Sequence, residues 1–309
     1  LQKFTERRLW AIGRLRSGLR REIWGYSLTV PAAALTILAT IAIIAFLTWK
    51  GLSLFLVHKV PLSNVFSTAW HPERPAAEGG PQVGILNFFY GSVVVSVLAT
   101  LLSTPFGVAV AVFISEIAPK VGQRVLQPVI ELLAGIPSVV YGWIGLSVLV
   151  PFIRNHLGGT GFSLLAGVLV LSVMILPTIT SVATDSLRSL SHILRETAYA
   201  LGATRWQMIR LVLLPAARTG ILTGVVLALA RAFGEALAVQ MVIGNIPNTP
   251  TSLLIPIITL TSGITMYMGN TVQGSLWNDA LWFMGLILLV TSFFFIILVR
   301  YVGKWGVAK

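Results

Sequence analysis

An all-α, polytopic membrane fold with six transmembrane helices is what this 309-residue chain predicts, on three observations. Hydrophobic residues make up 56% of it and charged residues only 10%, with a mean hydropathy of +0.87; this lies far outside the usage of water-soluble domains. Apolar runs long enough to cross a hydrocarbon core, which takes about 20 helical residues, recur at 27–49, 86–115, 125–152, 162–184, 217–243 and 280–302. The basic residues cluster between alternate runs, the pattern that the positive-inside rule produces.

Residues 1–26 carry Lys3, Arg7, Arg8, Arg14, Arg16, Arg20 and Arg21 and read as a basic cytoplasmic N-terminal segment. The run at 27–49 is longer than the apolar region of a signal peptide, and no small-x-small cleavage site follows Trp49, so an uncleaved first transmembrane helix is expected. Segment 50–85 holds Pro61, Pro72, Pro75, Pro81 and the Gly79-Gly80 pair, which predicts an extended, irregular extracytoplasmic loop. From 86 to 305 the chain reads as one transmembrane domain. Its first run, 86–115, fits either one tilted helix or a helix broken near Pro105. Pro105, Pro137 and Pro177 each remove a backbone bond within an apolar run and predict kinks. Segment 244–279 has no basic residue, and its apolar stretch Leu253 to Ile258 is too short to span. That stretch is expected to pack against the outer face or dip partway in; a contact surface for a docked extracytoplasmic protein is the other reading.

Six spans put both termini on the cytoplasmic side, together with Lys120, Arg124 and the basic residues of 185–218, which places 17 of the 22 Lys and Arg residues inside. The net charge of +12 is then mostly a topology signal rather than a nucleic-acid footprint, because the charges sit in separate loops. With no cysteine, disulfides, thiolate metal sites and cysteine catalysis are excluded. His58, His71, His156 and His192 lack ligand spacing and read as loop or interface residues, so no metal is expected. No H-E-x-x-H or G-x-S-x-G signature argues for an intramembrane enzyme, and no internal repeat of broken helices argues for a secondary transporter.

Two islands carry the chemistry. Within 185–215, Arg195-Glu196-Thr197-Ala198-Tyr199-Ala200-Leu201-Gly202 is followed by Leu213-Leu214-Pro215. Helix formers up to Leu201, a glycine able to end a helix in the left-handed conformation, and Thr204 as a cap predict a short helix, a tight turn and a new helix. In the fifth run, Arg231 and Glu235 are the exceptional residues. A charge near the bilayer centre costs at least about 2.5–3.5 kcal/mol on insertion scales, and the i, i+4 spacing predicts that the two pair on one helical face. Two readings follow. In one the pair only locks helix packing; in the other Arg231 offers a forked cationic donor to a passing anion, with Glu235 holding it. Ser138, Tyr141 and Thr178 are left outside the site, because Ser and Thr hydroxyls commonly bond their own helix backbone.

The first island resembles the cytoplasmic "EAA" loop by which membrane subunits of ABC importers dock on their ATPases, with Thr197 and Val212 where that family usually has Ala and Ile. Arg231-Ala-Phe-Gly-Glu235-Ala-Leu-Ala-Val239-Gln-Met-Val-Ile-Gly-Asn245 and Ile130-Glu131-Leu-Leu-Ala-Gly-Ile-Pro137-Ser-Val-Val-Tyr141-Gly142 resemble the PstC-type permease of phosphate-specific ABC importers. The sister PstA-type subunit has a similar Arg-x-x-Gly-Glu helix. The resemblance implies a MetI-like permease fold and transport of inorganic phosphate, with Arg231 and Glu235 on the pathway and Glu196, Ala198 and Gly202 coupling to the ATPase. It also implies a PstA-type permease, two copies of a PstB-type ATPase and a PstS-type phosphate-binding protein as partners, in a prokaryotic cytoplasmic membrane. Sulfate or molybdate is the alternative oxyanion. No phosphate loop of the form G-x-x-x-x-G-K-[ST] occurs in the chain, so ATP with Mg is expected on another polypeptide and no cofactor on this one.

Overall fold

The structure, a computed structural model, describes the backbone of residues 2–307 and the side chains of 29–75 and 77–301. Leu1–Lys50 and Gly51–Lys309 form two compact units. The described residues of the first, 2–50, belong to the long helix α1, Gln2–Leu56. From Thr29 onward α1 is long and apolar enough to cross a membrane, and Leu35, Ile37 and Leu38 are exposed along it. Leu and Ile on such a surface match hydrocarbon rather than water.

The second unit is a bundle. Helix α2 runs Leu86–Ile117, α3 Gln127–Gly135, α4 Ser138–His156 and α5 Leu164–Arg188. After the short α6, His192–Ala200, come α7, Arg205–Phe233, α8, Leu237–Ile243, α9, Leu260–Tyr267, and α10, Leu276–Val307. Six helices, counting α1, are long and apolar enough to span, among the described residues. That is the number the hydropathy predicts.

Two boundaries differ from the sequence reading. The run 125–152 is split, because Ile136 and Pro137 leave the helical region with ψ of 129° and 140°. Its spanning part is Ser138–His156. The run 217–243 is split as well: α7 begins at Arg205, inside the polar island, and stops at Phe233. Both breaks have a glycine beside them, Gly135 before Ile136-Pro137, where the proline disfavours helical geometry at Ile136, and Gly234 before Glu235.

Prolines leave a second signature. Among the described residues four π-helical turns, Phe113–Ile117, Gly122–Leu126, Gly145–Leu149 and Met208–Leu213, each end two residues before a proline, at 119, 128, 151 and 215. Proline has no N–H for the carbonyl one turn back and its ring presses on that carbonyl; at Pro128, Pro151 and Pro215 the ladder slips by one residue and the helix goes on, whereas before Pro119 α2 ends, with Ala118 at its C-cap. The kinks expected at Pro105 and Pro177 are not breaks; α2 and α5 continue through them as α-helix.

Small residues set the closest approaches. A Cβ on Gly107 of α2 would stand 2.8 Å from Ile179 of α5, and one on Gly224 of α7 would stand 3.0 Å from Val182 of α5. Such contacts let helices pack where lipid offers no hydrophobic drive between them. The stretch Leu253 to Ile258 docks into the bundle: Ile257 and Ile258 are fully buried, and Ile257 N–H donates to the Ile243 carbonyl at 3.1 Å. Its carbonyls serve a second purpose, since the Leu253 and Ile255 oxygens accept from Leu165 and Leu164 at 2.8 and 3.0 Å. They satisfy orphan donors at the start of α5, where Ser163 Oγ takes a further one from Ala166. Gly91 of α2 makes room, because a Cβ there would run into the Ile258 carbonyl oxygen. Gly91→Ala is expected to destabilise the bundle by about 3 kcal/mol, the upper end for overpacking, read as a lowered melting temperature of the purified protein in detergent.

Segment 50–85 is more ordered than its Pro and Gly content predicts. Strands β1, Trp70–His71, and β2, Gln82–Val83, pair antiparallel, and the Trp70 ring meets the Phe88 ring at a centroid distance of 4.8 Å. Tertiary burial of Trp70, Val65 and Val83 supplies order that local propensity does not.

Candidate functional site

Helix α7 ends two residues after Arg231, so the expected i, i+4 pairing of Arg231 with Glu235 has no helix to rest on. Among the described residues Arg195 pairs with Glu116, and His58 Nε2 lies 3.2 Å from Asp279 Oδ2; Arg231 and Glu235 do not form an ion pair. Helix ends compensate each charge instead. Arg231 lies in the last turn of α7, the negative end of its dipole, and Glu235 precedes α8 at the positive end. Glu235 Oε1 accepts from the Ala238 N–H at 3.1 Å, in the manner of a helix cap. The Glu235 carbonyl, freed by the break, accepts from Thr261 Oγ1 at 2.7 Å.

Arg231 Nη1 donates to Thr178 Oγ1 of α5 at 3.1 Å, its one hydrogen-bond partner among the described residues. A guanidinium has five donors. The side chain is exposed on the bundle, which leaves donors available to whatever occupies that face. Thr178, left out of the site by sequence reasoning, thus belongs beside it. A hydroxyl in an apolar run carries no pattern that separates such a role from bonding to its own helix, and only the crossing of α5 and α7 reveals it.

The two broken helices meet at this level. Tyr141 of α4 donates to the Leu133 carbonyl of α3 at 2.7 Å, which bridges the break at 136–137. One residue on, Gly142 stands so close to α8 that a Cβ would lie 2.9 Å from the Ala238 Cα. The Ile130 to Gly142 motif and the Arg231 to Asn245 motif are therefore one structure.

The second island folds as the sequence predicts. Ser191 caps α6, Gly202 takes φ of +78°, and the Ala203 N–H to Ala198 carbonyl and Gly202 N–H to Tyr199 carbonyl bonds, both 3.0 Å, close a Schellman motif. Thr204 and Gln207 then form a capping box that starts α7. Glu196 and Gly202 are exposed, with the apolar Ile193, Tyr199 and Leu201 around them. Ala198 is not on that surface. It is 6% exposed and packs with Ala111, Leu187 and Met208, so its small side chain serves the seating of α6 on the bundle.

What holds α6 in place escaped the sequence reading. Glu116, in the π turn ending α2, accepts from Arg195 at both carboxylate oxygens, Nη2 to Oε1 at 2.6 Å and Nε to Oε2 at 3.1 Å. The Glu116 hydrogen bonds raise the Arg195 guanidinium further above its ordinary value. The available signal was a lone acidic residue closing an apolar run, Ile114-Ser115-Glu116-Ile117.

Residues 103–305 match the family described as binding-protein-dependent transport system inner membrane component. The chain belongs to that family. It is 55% identical over 285 residues to the probable ABC transporter permease protein YqgH of Bacillus subtilis, covering 92% of this chain and 91% of that one. It is 36% identical over 297 residues to the phosphate transport system permease protein PstC of Mesorhizobium japonicum, covering 88% and 87%. Among solved structures, the inward-facing MetNI methionine ABC transporter matches with a TM-score of 0.54 at 20% identity, over 71% of this chain and 95% of that chain. That likeness establishes the fold. As a permease of the binding-protein-dependent class, the chain is a multi-pass membrane protein of an ABC transporter, a class that works with an ATPase and a substrate-binding protein and normally has no catalytic site in the permease.

Proposed function

We propose that this permease forms half of the membrane pathway for inorganic phosphate in an ATP-driven importer. The observation that carries the reading is Arg231: a guanidinium at a helix break, on an exposed face, spending one donor on Thr178 and none on Glu235. Such a fork suits the tetrahedral oxygens of a phosphate. Resemblance to the PstC proteins of Mesorhizobium japonicum and Xylella fastidiosa selects phosphate among the oxyanions. Glu235 orders the break through Ala238 and so holds the end of α7 that presents Arg231.

A PstA-type permease faces Arg231 and supplies the other half. Two copies of a PstB-type ATPase, where ATP and Mg are bound, dock on the exposed surface of α6 around Glu196 and Gly202. A PstS-type binding protein delivers phosphate at the opposite end. The positive-inside pattern of the basic loops supports both termini and α6 on the cytoplasmic side, in a prokaryotic cytoplasmic membrane. This chain binds no cofactor of its own. Closure of the ATPases moves α6, and the permease pair alternates between inward and outward openings.

Uptake of radiolabelled phosphate by cells lacking this chain, with and without its return, tests the reading. Restored, ATP-dependent uptake that unlabelled phosphate blocks and sulfate or molybdate does not is the expected result. Restored membrane insertion and ATPase binding without phosphate uptake would move the substrate to another oxyanion.

A further inference from the structure

The end of α2 is gripped from two elements, α6 and α7. Arg195 of α6 makes the bidentate pair with Glu116 and spends two further donors on carbonyls, Nη1 on Leu190 at 3.1 Å and Nη2 on Leu187 at 3.0 Å. Leu187 lies in the last turn of α5. Arg205, the first residue of α7, donates Nη2 to the Glu116 carbonyl and to the Ile117 carbonyl, the latter at 2.8 Å. Those are orphan acceptors at a helix terminus. The Glu116 side chain is 5% exposed and that of Arg195 is 17% exposed. A charge pair so buried is a discrete, all-or-none contact: neither partner can leave without stranding the other in a poorly solvated place.

We propose that Glu116 and Arg195 are the positioning residues through which movement of α6 reaches the membrane helices, with Arg205 holding the same point from α7. The inference rests on the reading of α6 as the ATPase contact. Helix α6 has nine residues and exposes most of its surface. Apart from the small Ala198, little of it is buried, so apolar packing alone would let it pivot. The pair converts it into a lever fixed to α2, and α2 packs along α5, which carries Thr178 against Arg231. Force on α6 thereby arrives at the helix pair that borders the anion site. A flexible joint at that place would let the ATPases close without moving the pathway.

Glu116→Gln keeps the shape and one acceptor while removing the charge. In the purified complex in liposomes, the variant is expected to bind the ATPase as the unaltered complex does, while phosphate taken up per ATP hydrolysed falls about tenfold, within the usual range of coupling effects. Because the chain has no cysteine, spin labels at Lys120→Cys and His192→Cys, both exposed positions, give a second readout. The distance between them is expected to be narrow with and without nucleotide in the parent and to broaden with Glu116→Gln. Unchanged uptake per ATP and an unchanged distance would overturn the proposal. Loss of ATPase binding in the variant would also overturn it, since the pair would then only shape the docking surface. If the unaltered chain itself fails to retain the ATPase, the reading of α6 falls instead.

Discussion

Arg231→Gln is expected to reduce phosphate uptake by about 10- to 100-fold, the loss that follows from removing charge-assisted hydrogen bonds to the anion. The same variant should reach the membrane and retain the ATPase. A neutral residue in the last turn of a helix forfeits only about 0.3–1 kcal/mol of dipole interaction. Arg231→Lys separates two contributions: it keeps the positive charge but loses the fork, so partial uptake would assign the remainder to bidentate geometry. Uptake measured per molecule of assembled complex is the readout. Normal transport by Arg231→Gln would leave Arg231 as a packing residue at the end of α7. Because Glu235 is not its ion-pair partner among the described residues, Glu235→Gln should act through the helix break and cost less.

The second large effect is expected at Gly202. The space around it is open, with nothing within 4 Å of a Cβ built there, yet its φ of +78° is a conformation that β-branched residues rarely adopt. Gly202→Val is therefore expected to unmake the Schellman turn and release the end of α6, at a cost of about 1–3 kcal/mol. Loss of ATPase co-purification, with the chain still in the membrane, would register it. Gly202→Asn discriminates the cause, because asparagine tolerates the left-handed region. An active Gly202→Asn together with an inactive Gly202→Val locates the requirement in the backbone. Normal docking and uptake by Gly202→Val would remove the turn from the coupling surface.

The same two places show how far local pattern reaches. At Gly202 and Thr204 the capping residues speak to their own neighbours within a few positions, and the turn and the new helix form as read. At Arg231 and Glu235 the same style of reading assumed an unbroken helix, and the fold broke it. Local propensity through Ala-Phe-Gly-Glu-Ala is compatible with either outcome; packing of α8 against Gly142 and the Thr261 bond to the Glu235 carbonyl favour the break. Pro105, Pro137 and Pro177 read alike in sequence, as kinks, yet Pro137 interrupts its run while Pro105 and Pro177 sit within continuous helices.

By itself, the sequence determined the all-α membrane class, the six apolar spans, the coupling-loop motif and the presence of one exceptional Arg and Glu in the fifth run. Those follow from hydrophobicity, charge and capping, which act over a turn or a span and are written in consecutive residues. Only the tertiary structure decided that Arg231 meets Thr178 from 53 positions away, that Ala198 faces inward, and that Glu116 holds Arg195 across 79 positions. A contact between two helices depends on their crossing and rotation, which small-residue packing sets between segments and no single segment contains.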